Sequence, residues 1–149
     1  PDALPLFKDA LIAAADRGVE VWIKAYEEIT LENVNVVVRQ NGHEIYQSTN
    51  DVSFKLAADG NAMLIANITA QCQGVIQAFR SNSALMAMSI YSALLYEIIL
   101  TELKQTIPSG NIQAAQALLE KSAHLHPIST RNAVFQQYKD KYQDKRDLK

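Results

Sequence analysis

The sequence predicts an α/β domain with one covering helix at its start, a mixed or antiparallel-rich sheet of about five strands, and a helical C-terminal half. The first observation is an amphipathic segment that turns directly into an alternating strand, at residues 9–26. The second is a series of β-branched or alternating segments between residues 34 and 79. The third is the long apolar stretch that follows Arg80. A helix that passes directly into such a strand is typical of a helix that covers a sheet.

The first element is an amphipathic helix that ends at Gly18. Its apolar residues recur at helical spacing, at Leu4, Phe7, Leu11 and either Ala14 or Ala15. Asp2 is the predicted N-cap, and Pro5 falls in the first turn, where a missing N–H costs little. Gly18 can adopt the left-handed conformation that closes a helix. Residues 19–26 then alternate apolar and polar side chains, which predicts a strand with one apolar face.

Four more extended segments follow this strand. They are predicted at residues 34–39, at residues 45–46 as a weak segment, at residues 52–68 as a hairpin, and at residues 74–79. Asn41-Gly42 and Asp59-Gly60-Asn61 provide the turn signals between them. These strands are predicted to belong to one sheet.

Three helices are predicted in the C-terminal half, at residues 82–105, 112–123 and 129–145. The first of them is apolar around most of its circumference, so it needs cover on more than one side. Its most apolar part, residues 84–100, contains Glu97 together with two serines and two tyrosines, and it is short for a bilayer, which needs ~20 predominantly apolar residues. The sequence therefore predicts no membrane span.

Composition narrows the class of protein. The chain has 149 residues, which is the length of one domain, and it is 48% hydrophobic and 20% charged, as is ordinary for a globular protein. Its net charge of −2 provides no global positive field that would attract nucleic acid or an acidic membrane. The single cysteine, Cys72, excludes an internal disulfide, and we expect it to be a small, buried or half-buried hydrophobic residue. No metal or cofactor is predicted.

The start of the chain indicates a piece of a longer protein. It begins at Pro1 rather than at methionine, and no strand precedes the first helix. We find no signal peptide, so a cytoplasmic location is expected.

Three stretches resemble the phospholipase-D-like domains. Residues 10–26, ALIAAADRGVEVWIKAY, resemble their segment of a helix, then A-x-x-R-G-V-x-V, then a strand, and residues 52–68 resemble the segment that carries their catalytic signature. The run from GVIQAF to NSALMAMSIYSALLYEIIL, residues 74–100, resembles the strand and closing helix of one branch. That branch is the C-terminal effector domains of TrmB-type transcriptional regulators. The resemblance covers roughly residues 3 to 104, and it implies a degenerate phospholipase-D-like half sheet.

The resemblance also bears on catalysis. Enzymes of this family use the motif H-x-K-x-x-x-x-D, in which the histidine is the nucleophile or its acid partner. In this chain Ser53 stands at the histidine position, Lys55 matches the lysine, and Asp59 comes one residue early. A phosphohistidine mechanism needs an imidazole, and a serine without a base does not replace it. We therefore expect a domain without enzymatic activity.

The regulators that this chain resembles imply a function. In them the domain senses a small molecule or dimerises, while an N-terminal winged helix-turn-helix binds DNA. The sequence is accordingly interpreted as a regulatory domain at residues 1–107 and a helical extension at residues 108–149, with the DNA-binding part absent. DNA would be contacted only through that missing part, because this segment has neither a recognition helix nor a basic field.

Six residues are candidates for binding a small-molecule effector: Lys24, Tyr26, Lys55, Asp59, Arg80 and Glu97. The first two lie at the carboxyl end of a strand, where open α/β sheets bind ligands. Lys55 matches the motif lysine and Asp59 falls one residue before the motif aspartate, although an exposed strand lysine and a turn aspartate explain them as well. Glu97 lies in the most apolar helix, where it either pairs with a cation such as Arg80 or Lys24 or points outward.

The apolar helix is also the predicted dimer contact. One stripe of it, Met88, Tyr91, Leu95 and Ile99, is spaced by three or four residues and would meet its own copy across a two-fold axis. Two other classes of function remain open. One is half of a phospholipase-D-like phosphodiesterase or nuclease that is completed outside this chain, and the other is a protein-interaction module that uses this helix.

Overall fold

A computed structural model describes residues 3–47, 51–126 and 140, and the described chain is mixed α/β. The helices are α1 (Lys8–Asp16), α2 (Gly42–Gln47), α3 (Ala84–Thr106) and α4 (Ile112–Leu125), with short 3₁₀ turns at Leu4–Leu6 and Ile107–Ser109. The strands are β1 (Trp22–Ala25), β2 (Asn35–Val38), β3 (Asp51–Ala58), β4 (Ala62–Thr69) and β5 (Val75–Ser81). The predicted third C-terminal helix, at residues 129–145, and the predicted N-cap Asp2 lie outside the described residues.

The five strands form two sheets, and the prediction of a single sheet is therefore wrong. β1 pairs with β2, while β3, β4 and β5 form a separate sheet in that order. The weak extended segment predicted at Ile45 and Tyr46 is also wrong, because both residues lie in α2. The Asn41-Gly42 turn signal does mark a turn, in which the Gly42 N–H donates to the carbonyl of Arg39. A helix rather than a strand begins at that turn.

β1 and β2 run parallel, with Trp22 opposite Asn35 and Ala25 opposite Val38. Residues 26–34 join them, a connection shorter than the dozen or so residues that a parallel crossover usually takes. Side-chain amides brace this short crossover: Asn35 Nδ2 donates to the carbonyl of Val21 at 3.1 Å, and Asn33, at a positive φ of 58°, donates to the Asp16 carboxylate. The crossover therefore closes without a helix.

The hairpin predicted at residues 52–68 is confirmed as β3 and β4. Asp59 and Gly60 both have positive φ, 49° and 67°, and the Asn61 N–H donates to the carbonyl of Ala58 at 2.9 Å. Two consecutive positive φ values define the type I′ turn that Asp-Gly favours. β5 follows β4 after a loop in which the Thr69 hydroxyl accepts hydrogen bonds from two backbone amides.

The chain divides into two compact units, which we describe separately. The first contains the described residues of 3–54 and 66–78. Its apolar core joins Ala3 to Val52 and Ile68, and the partly buried Phe7 and Cys72 pack against it. Cys72 is thus the half-buried hydrophobic residue that the sequence predicted. α1 ends as predicted, because Gly18 adopts a φ of 86° and donates to the carbonyl of Ala15.

The second unit contains residues 55–65 and the described residues from 79 onward. In it α3 packs against α4. α3 begins after Ser83 and ends in a 3₁₀ turn before Gly110, whose φ of 74° separates the two helices. The Asn111 side chain then caps α4 by accepting from the Ala114 N–H at 3.0 Å. The helices at both sides of the predicted domain boundary, residue 107, therefore lie in one unit.

Candidate functional sites

The first candidate site lies at the carboxyl ends of the parallel strands β1 and β2. Lys24 is in β1 and Tyr26 follows that strand, while Arg39 follows β2 and its N–H donates to the carbonyl of Ala25 at 2.9 Å. The Lys24 ammonium lies 5.8 Å from the centroid of the Tyr26 ring, and the Arg39 guanidinium carbon lies 5.9 Å from the same centroid. Both cations are within the ~6 Å range of a cation–π contact.

Arg39 was not among the residues predicted from the sequence. It joins the site only because β1 and β2 pair in parallel, so that residues which follow each strand meet at one edge. The sequence does not indicate parallel pairing of β1 and β2, because the segment between them lacks the helix that usually joins parallel strands. The only available signal was a cation near the end of each of two extended segments, Lys24 in the first and Arg39 after the second.

Gly42 helps to hold this edge together. It is buried, and a Cβ built on it would overlap the backbone of Tyr26, at 2.7 Å from the Cα. The first turn of α2 therefore lies directly on the backbone of Tyr26. Only glycine allows this close approach.

The six predicted ligand-binding residues are divided between the two units. Lys24 and Tyr26 belong to the first, and Lys55, Asp59, Arg80 and Glu97 belong to the second. These last four side chains are all exposed. Asp59 occupies the first central position of the type I′ turn, which accounts for its presence without a ligand. Ser53, at the histidine position of the family motif, is also exposed.

The predicted dimer stripe faces the interior of the chain. Leu95 is 7% exposed and Ile99 is 4% exposed, Met88 is buried as well, and Tyr91 is half-buried. These side chains are covered within a single copy, so they are not available to a second one in this conformation. The sequence did not distinguish the two faces of α3, because apolar residues occur around most of its circumference.

The opposite face of α3 is exposed and largely apolar. We call it the outer stripe and define it by Leu85, Met86, Ser89, Ala93, Tyr96 and Leu100. Leu85 is 63% exposed, Tyr96 is 54% exposed and Leu100 is 53% exposed. At about 100° per residue these side chains fall within one sector of roughly a third of the helix circumference. The ring of Tyr96 lies 5.5 Å from that of His126, at the end of α4.

The length and hydropathy of α3 also meet the criteria for a membrane span. Over the described residues one helical stretch does so, Ala84–Ser109, with a mean hydropathy of 1.6 over its best 18-residue window. Of that window, 28% is buried within the protein. The sequence-based estimate that this stretch is too short for a bilayer is therefore not supported by its length. The core helix of a globular protein meets the same criteria.

Glu102 is the one described side chain that has a buried oxygen without a hydrogen-bond donor, its Oε2. It lies in α3. Burial raises the pKa of its carboxyl above the ordinary value of 4.5, and the nearby Lys121 ammonium of α4 opposes that rise to a smaller extent. The buried carboxylate form is therefore less favourable in the folded chain than in the unfolded one.

We expect replacement of Glu102 by glutamine to raise the thermal midpoint of unfolding at pH 7. The folded chain holds the Glu102 proton more tightly than the unfolded chain. This carboxyl therefore stabilises the fold most below its unfolded pKa of about 4.5, and that contribution is lost as the pH rises through the raised, folded-state pKa. The glutamine variant lacks this pH dependence, so its stability relative to that of the native chain increases as the pH rises. Circular dichroism melts between pH 4 and 8 measure the effect.

The control for this prediction is Glu120→Gln, at an exposed position of α4. It removes the same charge without relieving any burial. If Glu102→Gln and the native chain had equal thermal midpoints at pH 7, burial of the Glu102 carboxylate would not be destabilising. Equal increases in the midpoints of Glu102→Gln and Glu120→Gln would contradict the prediction as well.

No group of histidine, cysteine, aspartate or glutamate within the described ranges is arranged to hold a metal ion. Comparison with known protein families, with curated proteins and with solved structures finds no match to this chain.

Proposed function

We propose that this chain is a non-catalytic dimerisation and effector-sensing domain of a transcriptional regulator, and that two copies meet through the outer stripe of α3. The observation that carries the proposal is the exposure of that stripe. Leu85, Tyr96 and Leu100 are each more than half exposed on one face of one helix. Exposed apolar patches that continue over several side chains usually mark an interaction site.

A second copy fits this stripe because the stripe is complementary to itself. If two α3 helices cross antiparallel near Ala93, Leu85 of each copy faces Leu100 of the other, and Ser89 faces Tyr96. The small side chain of Ala93 then lies at the centre, where two helix backbones approach most closely. From Leu85 to Leu100 the contact is about 22 Å long, at 1.5 Å per residue. A two-fold contact uses the same patch on both copies, as this arrangement requires.

Charge is compatible with the same pairing. Glu97 is exposed beside the outer stripe, and it is the one charged residue between Ala84 and Thr101. In the antiparallel arrangement the two copies of Glu97 lie on either side of the two-fold axis rather than facing each other. The contact therefore brings few charges out of water, which would otherwise be costly.

The regulatory part of the proposal rests on the resemblance to the effector domains of TrmB-type regulators. In that setting the chain is cytoplasmic, needs no cofactor, and reaches DNA only through a part outside this segment. Ser53 in place of the motif histidine supports a non-catalytic role. Lys24 and Tyr26 are candidates for effector binding, and the side chain of Arg39 lies beside them.

Sedimentation equilibrium of the chain between 1 and 100 µM, on the order of common dimer dissociation constants, tests the proposal. We expect a reversible monomer–dimer equilibrium. A chain that stays monomeric over this range contradicts the proposal. A chain that sediments as a monomer but floats with neutral phosphatidylcholine vesicles would instead assign α3 to a membrane surface.

A further inference from the structure

We propose that Lys24, Tyr26 and Arg39 form a binding site for the phosphate group of a small organic phosphate monoester. The inference rests on the proposed effector-sensing function for its biological purpose, but the binding itself is independent of dimerisation. All three residues lie in the first unit, at one edge of the β1–β2 sheet.

The geometry places two cations around one ring. The Lys24 ammonium and the Arg39 guanidinium carbon lie 5.8 and 5.9 Å from the centroid of Tyr26. The two cations are therefore no more than about 12 Å apart, by the sum of these two distances. Both cations lie around the same ring, so a phosphate placed beside Tyr26 is attracted by both charges.

The chemistry of the three side chains matches a phosphate monoester. A guanidinium can bind two phosphate oxygens at once through its parallel N–H groups, while an ammonium acts as a compact point charge beside them. The tyrosine ring supplies an apolar surface for the carbon skeleton of the ligand, as ligand sites commonly do. Ligands of α/β proteins bind at the carboxyl ends of parallel strands, which is where this cluster lies.

The backbone around the cluster is well placed to position it. The Arg39 N–H is hydrogen-bonded to β1, and the close packing of Gly42 on the backbone of Tyr26 fixes the turn that follows Arg39. Glu27 and Glu28 are exposed directly after Tyr26. These two carboxylates cancel the long-range positive field of the cluster, so selection depends on direct contact with the cations rather than on net charge.

Isothermal titration calorimetry of the full chain tests the proposal, with glycerol 3-phosphate as the probe and glycerol as its neutral counterpart. We expect saturable binding of glycerol 3-phosphate and no binding of glycerol. Arg39→Gln and Lys24→Gln should each weaken binding about tenfold or more, because each removes one charge-assisted contact to the phosphate. Tyr26→Phe keeps the ring and should retain the affinity.

The matched controls are Arg17→Gln and Lys8→Gln, which remove the same charges from exposed positions at the two ends of α1 in the same unit. We expect them to bind as the native chain does. Equal losses in the controls would overturn the proposal by showing a general charge effect, and unchanged affinity in Arg39→Gln would overturn it directly.

Two further measurements separate the remaining outcomes. Binding to phosphatidic acid vesicles without binding to glycerol 3-phosphate would overturn the small-molecule assignment in favour of a lipid headgroup. Sedimentation without ligand reports on dimerisation separately, so a failed phosphate site and a failed dimer are distinguished. Melting curves of Lys24→Gln and Arg39→Gln that match the native chain show that a loss of binding is not a loss of fold.

Discussion

Replacement of Leu95 by alanine is expected to lower the free energy of unfolding by about 2–5 kcal/mol, the usual cost of truncating a leucine in a packed core. Leu95 is only 7% exposed, and α3 packs against α4 in the second unit. The truncated side chain leaves a cavity and also loses its transfer free energy. Because domains of this size are stable by only about 5–15 kcal/mol, the variant should unfold at a visibly lower urea concentration.

The matched control is Leu119→Ala, the same substitution at an exposed position of α4. Surface substitutions of this kind change stability by about 0.5 kcal/mol or less. Urea unfolding curves of both variants, followed by circular dichroism, make the comparison. Equal midpoints for Leu95→Ala and Leu119→Ala would show that Leu95 is not packed as the structure has it.

The burial of Leu95 also revises what a charge at this position would do. If Leu95 lay in a dimer contact, as the sequence predicts, Leu95→Glu would separate the dimer and leave each copy folded. With Leu95 inside the second unit, the carboxylate would instead be buried without a partner in every copy. We therefore expect loss of folded protein rather than a well-folded monomer.

Local turn chemistry was readable from the sequence. Asp59-Gly60 predicts the hairpin between β3 and β4, since few residue pairs accept two successive positive φ values. Gly18 predicts the end of α1 for the same reason. The long helix was also predicted to within two residues at its start and one at its end, at residues 82–105 against the observed Ala84–Thr106.

The pairing of the strands could not be predicted from the sequence. Periodicity indicates that a segment is extended, but it does not say which neighbour it pairs with. β1 and β2 therefore form a separate parallel sheet that the sequence did not indicate. For the same reason Arg39 was not predicted as a site residue, because it lies near Tyr26 only when β1 and β2 pair.

The orientation of α3 was not readable either. An amphipathic helix reveals its buried face by contrast, but here apolar side chains also occupy the exposed face, at Leu85, Met86 and Leu100. Only packing decides between two apolar faces. The structure places Met88, Leu95 and Ile99 in the interior and leaves the outer stripe exposed.

Replacement of Leu100 by glutamate is expected to dissociate the proposed dimer while each copy stays folded. Leu100 is 53% exposed in the single chain and lies near one end of the antiparallel contact, opposite Leu85 of the second copy. Full burial of an exposed leucine contributes roughly 1.5–3 kcal/mol. Only about half of Leu100 can be newly buried in each copy, so the two copies together lose roughly that amount. The dimer should therefore weaken by about 10–10²-fold, because each 1.4 kcal/mol is a factor of ten.

Sedimentation equilibrium measures this loss, and a circular dichroism melt at a concentration where the native chain is monomeric checks the fold. Leu119→Glu is the matched control, because it places the same charge at a similarly exposed leucine of α4, outside the outer stripe. It should keep the native dissociation constant. A dimer that survives Leu100→Glu but not Leu119→Glu would move the contact from α3 to α4. Loss in neither variant would place the contact on some other surface, since a two-fold pairing through the outer stripe cannot accommodate two buried carboxylates without partners.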